Sequence, residues 1–210
     1  MQKIIRGVQH FRTEIFQRKH KLYSKLRTGQ NPEAMFITCS DSRIVPSALT
    51  ETDAGDLFVL RNAGNMVPRF GTSAGGEGAS LEFAVCGLKI PDIIVCGHTD
   101  CGAIRYLMQK SGAELPLVRG WVNGASELVE NSKSTRSSEA ERLESAYRQN
   151  ILLQIRNLLS YPFISEAVRK GELTLHGWLF DLGSGEILNC DFISETFVAF
   201  SPSTRKAGGE

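Results

Sequence analysis

Short apolar runs separated by helical patterns are what most constrain this chain. Ala34-Met35-Phe36-Ile37, Leu57-Phe58-Val59-Leu60 and Ile93-Ile94-Val95-Cys96 carry no charge and are bounded by polar or turn residues. Runs this short and continuous fit strands buried on both faces. Between the second and third, Leu81, Ala84, Val85 and Leu88 recur at helical spacing, and a further helix is expected from Gly102 to about Lys110. Strands alternating with helices predict an α/β fold with a mostly parallel central sheet flanked by helices.

The flanks add three features. Ile4, Val8, Phe11 and Ile15 predict an amphipathic helix or helix pair over 2–26, an N-terminal arm (1–30) that packs on its own domain or on a partner. Residues 131–140 read as a polar loop and helix start, and the charges over 127–144 as a solvated helix and loop. Ile151, Leu152, Ile155, Leu158 and Leu159 then mark a strong amphipathic helix. Leu173 to Leu182 and Glu186 to Phe192 flank Gly183-Ser184-Gly185 and predict a C-terminal β-hairpin. The whole reads as a single domain over 1–200, with a disordered tail at 201–210.

The formal net charge is +1 and no basic stripe stands out, which argues against a nucleic acid or an anionic membrane as partner. No stretch approaches the ~18 apolar residues of a membrane span, and the N-terminus lacks the apolar core of a secretory signal. Five cysteines, odd in number and irregularly spaced, suit a reduced, cytoplasmic setting with thiols free for metal or catalysis.

Two motifs carry chemistry: Cys39-Ser40-Asp41-Ser42-Arg43 and His98-Thr99-Asp100-Cys101. Each directly follows an expected strand, and in an open parallel sheet ligands collect beyond the carboxyl ends of strands. Two thiols, an imidazole and a carboxylate are a donor set that Zn²⁺ favours. Cys39, His98 and Cys101 supply three ligands, and three with an open position mark a catalytic site. Asp41 is the ambiguous fourth. Arg43 can hold its carboxylate through a bidentate pair, leaving that position to water, or release it to close the site. A zinc-bound hydroxide attacks a small electrophilic carbon, and apolar neighbours suit CO₂.

CSDSR at 39–43, RNAGN at 61–65 and GHTDCGA at 97–103 resemble the β-class carbonic anhydrase family in order and spacing, and the likeness runs through HGW at 176–178. The resemblance implies one zinc per chain on Cys39, His98 and Cys101, with Asp41 and Arg43 as a catalytic dyad. It implies reversible hydration of carbon dioxide to bicarbonate and a proton. It further implies a homodimer that builds the pocket, with a tetramer left open by the sheet edge of the hairpin. Gln30 matches a glutamine that reaches the substrate; Phe58, Ala63 and Phe83 match apolar pocket positions, and Gly102 belongs to the same pocket. Many plant-type members carry Tyr where this chain has Phe83. Members shut off by bicarbonate at a non-catalytic site carry Trp and Gly where this chain has Phe36 and Thr38, so the resemblance favours the open-site subtype.

Other residues have plainer readings. Cys86, Cys96 and Cys190 are expected in the core, His176 as a packed or interface residue, and His10 and His20 on a solvated face. Gly75, Gly76 and Gly78 lack the spacing of a phosphate loop and suit a tight turn. Asp100 either supports the site or faces solvent. Two other functions compete: the same site acting on CS₂ or COS, and a structural zinc permanently closed by Asp41. Arg43 argues against the latter, since a closed site needs no partner for its carboxylate.

Overall fold

The computed structural model describes residues 1–72, 75–109, 114–131 and 138–200. The expected tail at 201–210 and most of the polar loop before the long helix lie outside the described residues. Six strands form one sheet in the order β2-β1-β3-β4-β5-β6. They are β1 (Ala34–Cys39), β2 (Leu57–Asn62), β3 (Asp92–His98), β4 (Thr174–Phe180), β5 (Ile187–Asp191) and β6 (Thr196–Ala199). β2, β1, β3 and β4 run parallel, and β5 and β6 return antiparallel. The chain thus has the expected α/β architecture, with the C-terminal hairpin joined to the parallel sheet through β4. A third strand, β6, extends it beyond what the sequence pattern showed.

β1 and β3 are buried along nearly their whole length. Alternate residues serve two cores. Met35, Ile37, Ile93 and Val95 face a large cluster with the long helix Glu139–Leu159, whereas Ala34, Phe36, Ile94 and Cys96 join Trp178 in a smaller one. β2 departs from the expectation of burial on both faces. It is an edge strand, half-exposed, with Val59 44% accessible, because β1 is its only hydrogen-bonded neighbour among the described residues.

The long helix starts at Ser138, whose hydroxyl accepts from the Glu141 N–H while the Glu141 carboxylate takes the Ser138 N–H, a reciprocal cap. It is pressed onto the sheet where Gly97 and Gly177 have no side chain. A Cβ on either would lie within 3 Å of Ile151.

The N-terminal arm is a helix pair: Gln2–His10 continues through a π-helical turn at Phe11–Ile15 into Phe16–Arg18, and His20–Leu26 follows a break at Lys19. Its root is anchored: Lys19 pairs with Asp53, and Leu26 lies over Gly55, where a Cβ would collide with it. Its tip buries nothing, and Ile4, Val8 and Phe11 stand 63, 64 and 40% exposed. His10 and His20 are exposed, as expected. Cys96 and Cys190 are buried, but Cys86 is exposed, a correction to the core reading. The helix carrying it ends in a π-helical turn at Phe83–Gly87, which rotates Phe83 and Cys86 outward while Ala84 and Val85 stay buried.

Candidate metal and catalytic site

β1 and β3 are adjacent, and the chain leaves β1 toward β2 on one side and β3 on the other. The crevice beyond their carboxyl ends is therefore the topological switch point of the sheet. Cys39 ends β1 and His98 ends β3. Asp100 adopts a left-handed conformation (φ 59°), turning the chain so that Cys101 points back just before the helix Gly102–Gln109. The ligand atoms of Cys39, His98 and Cys101 all lie within 4.8 Å of one another, and all three residues are buried. The two sulfurs are 3.9 Å apart.

His98 is oriented by its own neighbour. Nδ1 lies 2.8 Å from the Thr99 carbonyl, which can only accept, so Nδ1 carries the proton and Nε2 presents a lone pair. That Nε2 is buried with no hydrogen-bond partner among the described residues. A buried acceptor left unmatched is costly, and a metal ion between the imidazole and the two thiols removes that cost. The thiols tell the same story. The Cys39 thiol is drawn below its ordinary value, chiefly by the hydrogen bond from Cys101, against burial and with help from the Gly64 and Asp41 N–H groups. Cys101 is pushed up by the same bond and by burial. The two sulfurs thus act on each other in opposite senses, in the place where a divalent cation would favour both as thiolates.

Asp41 and Arg43 form the expected pair. Arg43 Nε and Nη2 donate to the two Asp41 oxygens at 2.9 and 2.8 Å, and the Arg43 N–H adds a bond of 2.9 Å. These bonds, the side-chain ones above all, hold the Asp41 carboxyl well below the usual carboxylate range against partial burial. Asp100 is not merely solvent-facing. Its carboxylate takes Arg43 Nη1 at 3.1 Å and also pairs with Arg105, so Arg43 is held from two sides.

Arg61 was not singled out from the sequence except within RNAGN. It donates to the backbone oxygens of Cys39 and Asp41 at 2.8–3.1 Å and so pins the segment that carries both. After β2, the Asn62 side chain closes a ring on Met66, accepting its N–H and donating to its carbonyl, and Gly64 and Asn65 take positive φ. This tight loop sets the Gly64 N–H 3.4 Å from Cys39 Sγ. Trp121 and the buried Asn150, Gln154 and Asn157 hold the loop from outside, and sequence reading missed all four. A polar stripe at positions 150, 154 and 157 within an apolar helix was the available signal.

The predicted pocket residues divide into two groups. Ala63 and Gly102 adjoin the ligand cluster, following β2 and Cys101 respectively, and Gly102 faces open space. Gln30 precedes β1, and Phe58 pairs in register with Met35 near the start of β1, whereas Cys39 pairs with Asn62 at its end. Phe83 packs on Phe58 with ring centroids 6.0 Å apart and is 52% exposed. These three therefore lie toward the opposite end of the strands from the metal ligands of the same chain.

Residues 34–187 match the carbonic anhydrase family. The chain is 42% identical to a carbonic anhydrase of Pseudomonas aeruginosa, over 100% of this chain and 97% of that one. Among solved structures, the β-carbonic anhydrase CcaA superposes with a TM-score of 0.92 at 40% identity, covering 97% of this chain and 93% of that one. A tetrameric β-carbonic anhydrase from Sordaria macrospora gives 0.80 at 28% identity, covering 90% and 97%. The chain belongs to the β-carbonic anhydrase family. It is a zinc-dependent enzyme for the reversible hydration of carbon dioxide to bicarbonate.

Proposed function

We propose that Cys39, His98 and Cys101 hold one zinc ion per chain and that Asp41 and Arg43 form the catalytic dyad beside it. The observation carrying this is the buried His98 Nε2, unpartnered and within 4.8 Å of both thiol sulfurs. Zinc supplies the Lewis acidity that makes water nucleophilic at neutral pH. Asp41 stays ionised, accepts a hydrogen bond from the attacking water and orients it toward the carbon. Arg43, through its two parallel bonds, keeps Asp41 from taking the remaining metal position. Cys101→Ala is expected to strip most of the zinc and the hydration activity together. Full zinc occupancy in that variant, measured by atomic absorption, would refute the assignment.

The pocket is completed by a second copy of the chain. Ala63 and Gly102 line one wall, and Gln30, Phe58 and Phe83 of a second copy supply the apolar lining and one amide. The separation of these groups within one chain supports this, as does the exposed apolar tip of the arm. The tetrameric state of the Sordaria relative extends the same reading to a dimer of dimers. The domain is single over 1–200, with 1–30 as the arm that reaches the second copy.

The site is of the constitutively open subtype. Phe36 and Thr38 are fully buried, and the Thr38 hydroxyl donates to the Cys96 carbonyl at 2.9 Å, which supports this reading. Activity is expected to rise smoothly with pH, without cooperativity, and bicarbonate to act only as product or simple competitor. A steep, cooperative pH–rate profile with bicarbonate bound away from the metal would overturn the subtype. Among the described residues no helix is long and apolar enough to cross a membrane, and all five cysteines are free. The free thiols support a cytoplasmic setting.

A further inference from the structure

The long helix buries three amides where leucines would pack without a desolvation cost. Asn150 and Gln154 are each 1% exposed and Asn157 8%. Their bonds run to the loop after β2 or to one another. Asn150 Nδ2 donates to the Gly64 carbonyl at 3.0 Å, Gln154 Oε1 accepts from the Val67 N–H at 2.7 Å, and Asn157 Nδ2 donates to the Val67 carbonyl at 2.9 Å. Gln154 Nε2 donates to Asn150 Oδ1 at 2.8 Å and so fixes its rotamer. Spacings of four and three residues put the three on one helical face.

Asn150 differs from the other two in what its loop residue does. Gly64, which it holds by the carbonyl, turns its own N–H onto Cys39 Sγ at 3.4 Å. The position of Asn150 is itself fixed by the sheet, because Ile151, the next residue, seats against the bare Cα atoms of Gly97 and Gly177. We infer that Asn150 is a positioning residue that aims the Gly64 N–H at Cys39 Sγ and thereby sets how much electron density this sulfur gives the metal. A hydrogen bond to a thiolate withdraws charge from it, leaving the metal more positive and better able to activate water. The inference rests on Cys39 being a metal ligand.

Cobalt(II) is the probe, since its thiolate-to-metal charge-transfer band reports the charge on sulfur. Asn150→Leu keeps the branched four-atom side chain and removes the donor. Its cobalt band should move to longer wavelength than in the parent, because the sulfur keeps the charge that the Gly64 N–H had withdrawn. Asn157→Leu is the control: it removes a buried amide that holds the same loop at Val67 rather than at Gly64, and should lower stability while leaving the band in place. If Asn150→Leu does not fold, Asn150→Ser, which shortens the reach to Gly64, should show the same shift. An unchanged band in the folded Asn150 variant, or equal shifts in the Asn150 and Asn157 variants, would overturn the positioning role. A parent cobalt protein with no thiolate band at all would instead remove Cys39 as a ligand, and the inference with it.

Discussion

At the carboxyl ends of β1 and β3 one chain supplies most of the partners, leaving His98 Nε2 for a metal: Arg61 pins the backbone, Arg43 grips Asp41, and Gly64 faces Cys39. Toward the amino ends of the same sheet, and along the arm, the chain instead shows Gln30, Phe83, Ile4 and Val8 to solvent. One end is complete as a metal site, and the other is half of a surface. On the proposed reading the difference teaches that metal binding would be a property of the single chain, whereas the substrate pocket would be a property of the assembly.

The largest expected effect breaks the complete end. Asp41→Ala should keep its zinc, because the three ligands do not depend on it, yet lose turnover by about 10²- to 10⁴-fold, the usual worth of a positioned general acid–base group. Stopped-flow CO₂ hydration with parallel metal analysis checks both halves, and loss of zinc with turnover would assign Asp41 to the ligand set. Arg43→Ala should also silence the enzyme, by releasing Asp41 onto the metal.

The second effect breaks the incomplete end. Changing Ile4 and Val8 together to Asp removes two apolar side chains, each worth about 1.5–3 kcal/mol when buried, and should weaken association about a hundredfold or more. Zinc content should stay at the parental level while activity per chain falls on dilution. Light scattering and activity across a dilution series test this, and a fully active monomer would show that one chain builds the whole pocket.

A smaller effect sharpens the comparison inside one chain. Gly97→Ala would put a Cβ 2.8 Å from Ile151 Cγ1 and should cost about 1–3 kcal/mol of stability by overpacking, read from urea unfolding of the zinc-loaded protein. No loss would mean that the helix seat is soft.

The smallest effect is the pH dependence of the dyad. The folded Asp41 value lies below its unfolded one because Arg43 donates to it. The contribution to stability is therefore full above the unfolded value near ~4 and fades as pH falls through the folded value. The Tm gap between the parent and Asp41→Asn should stay constant over about pH 5–8 and shrink in stronger acid. The gap should be small, since Arg43 is half exposed and an exposed pair is screened.

The alternation of short apolar runs with helical patterns determined the α/β class, because backbone pairing and burial leave few other solutions for such runs. The spacing of Cys39, Asp41, Arg43, His98 and Cys101 determined the chemistry, because residues closing neighbouring parallel strands must meet at one rim. Periodicity misjudged β2 and Cys86. A four-residue apolar run does not say whether its strand has one neighbour or two, and a helical repeat does not foresee a π-helical turn at Phe83–Gly87 that rotates its end outward. Only the tertiary structure decided that Asn150, Gln154 and Asn157 face a loop some ninety residues earlier in the chain, that Asp100 grips Arg43, and that Gln30, Phe58 and Phe83 stand apart from the metal ligands. Each depends on which surfaces the sheet order brings together, and that order is fixed by contacts between segments that local pattern treats as independent.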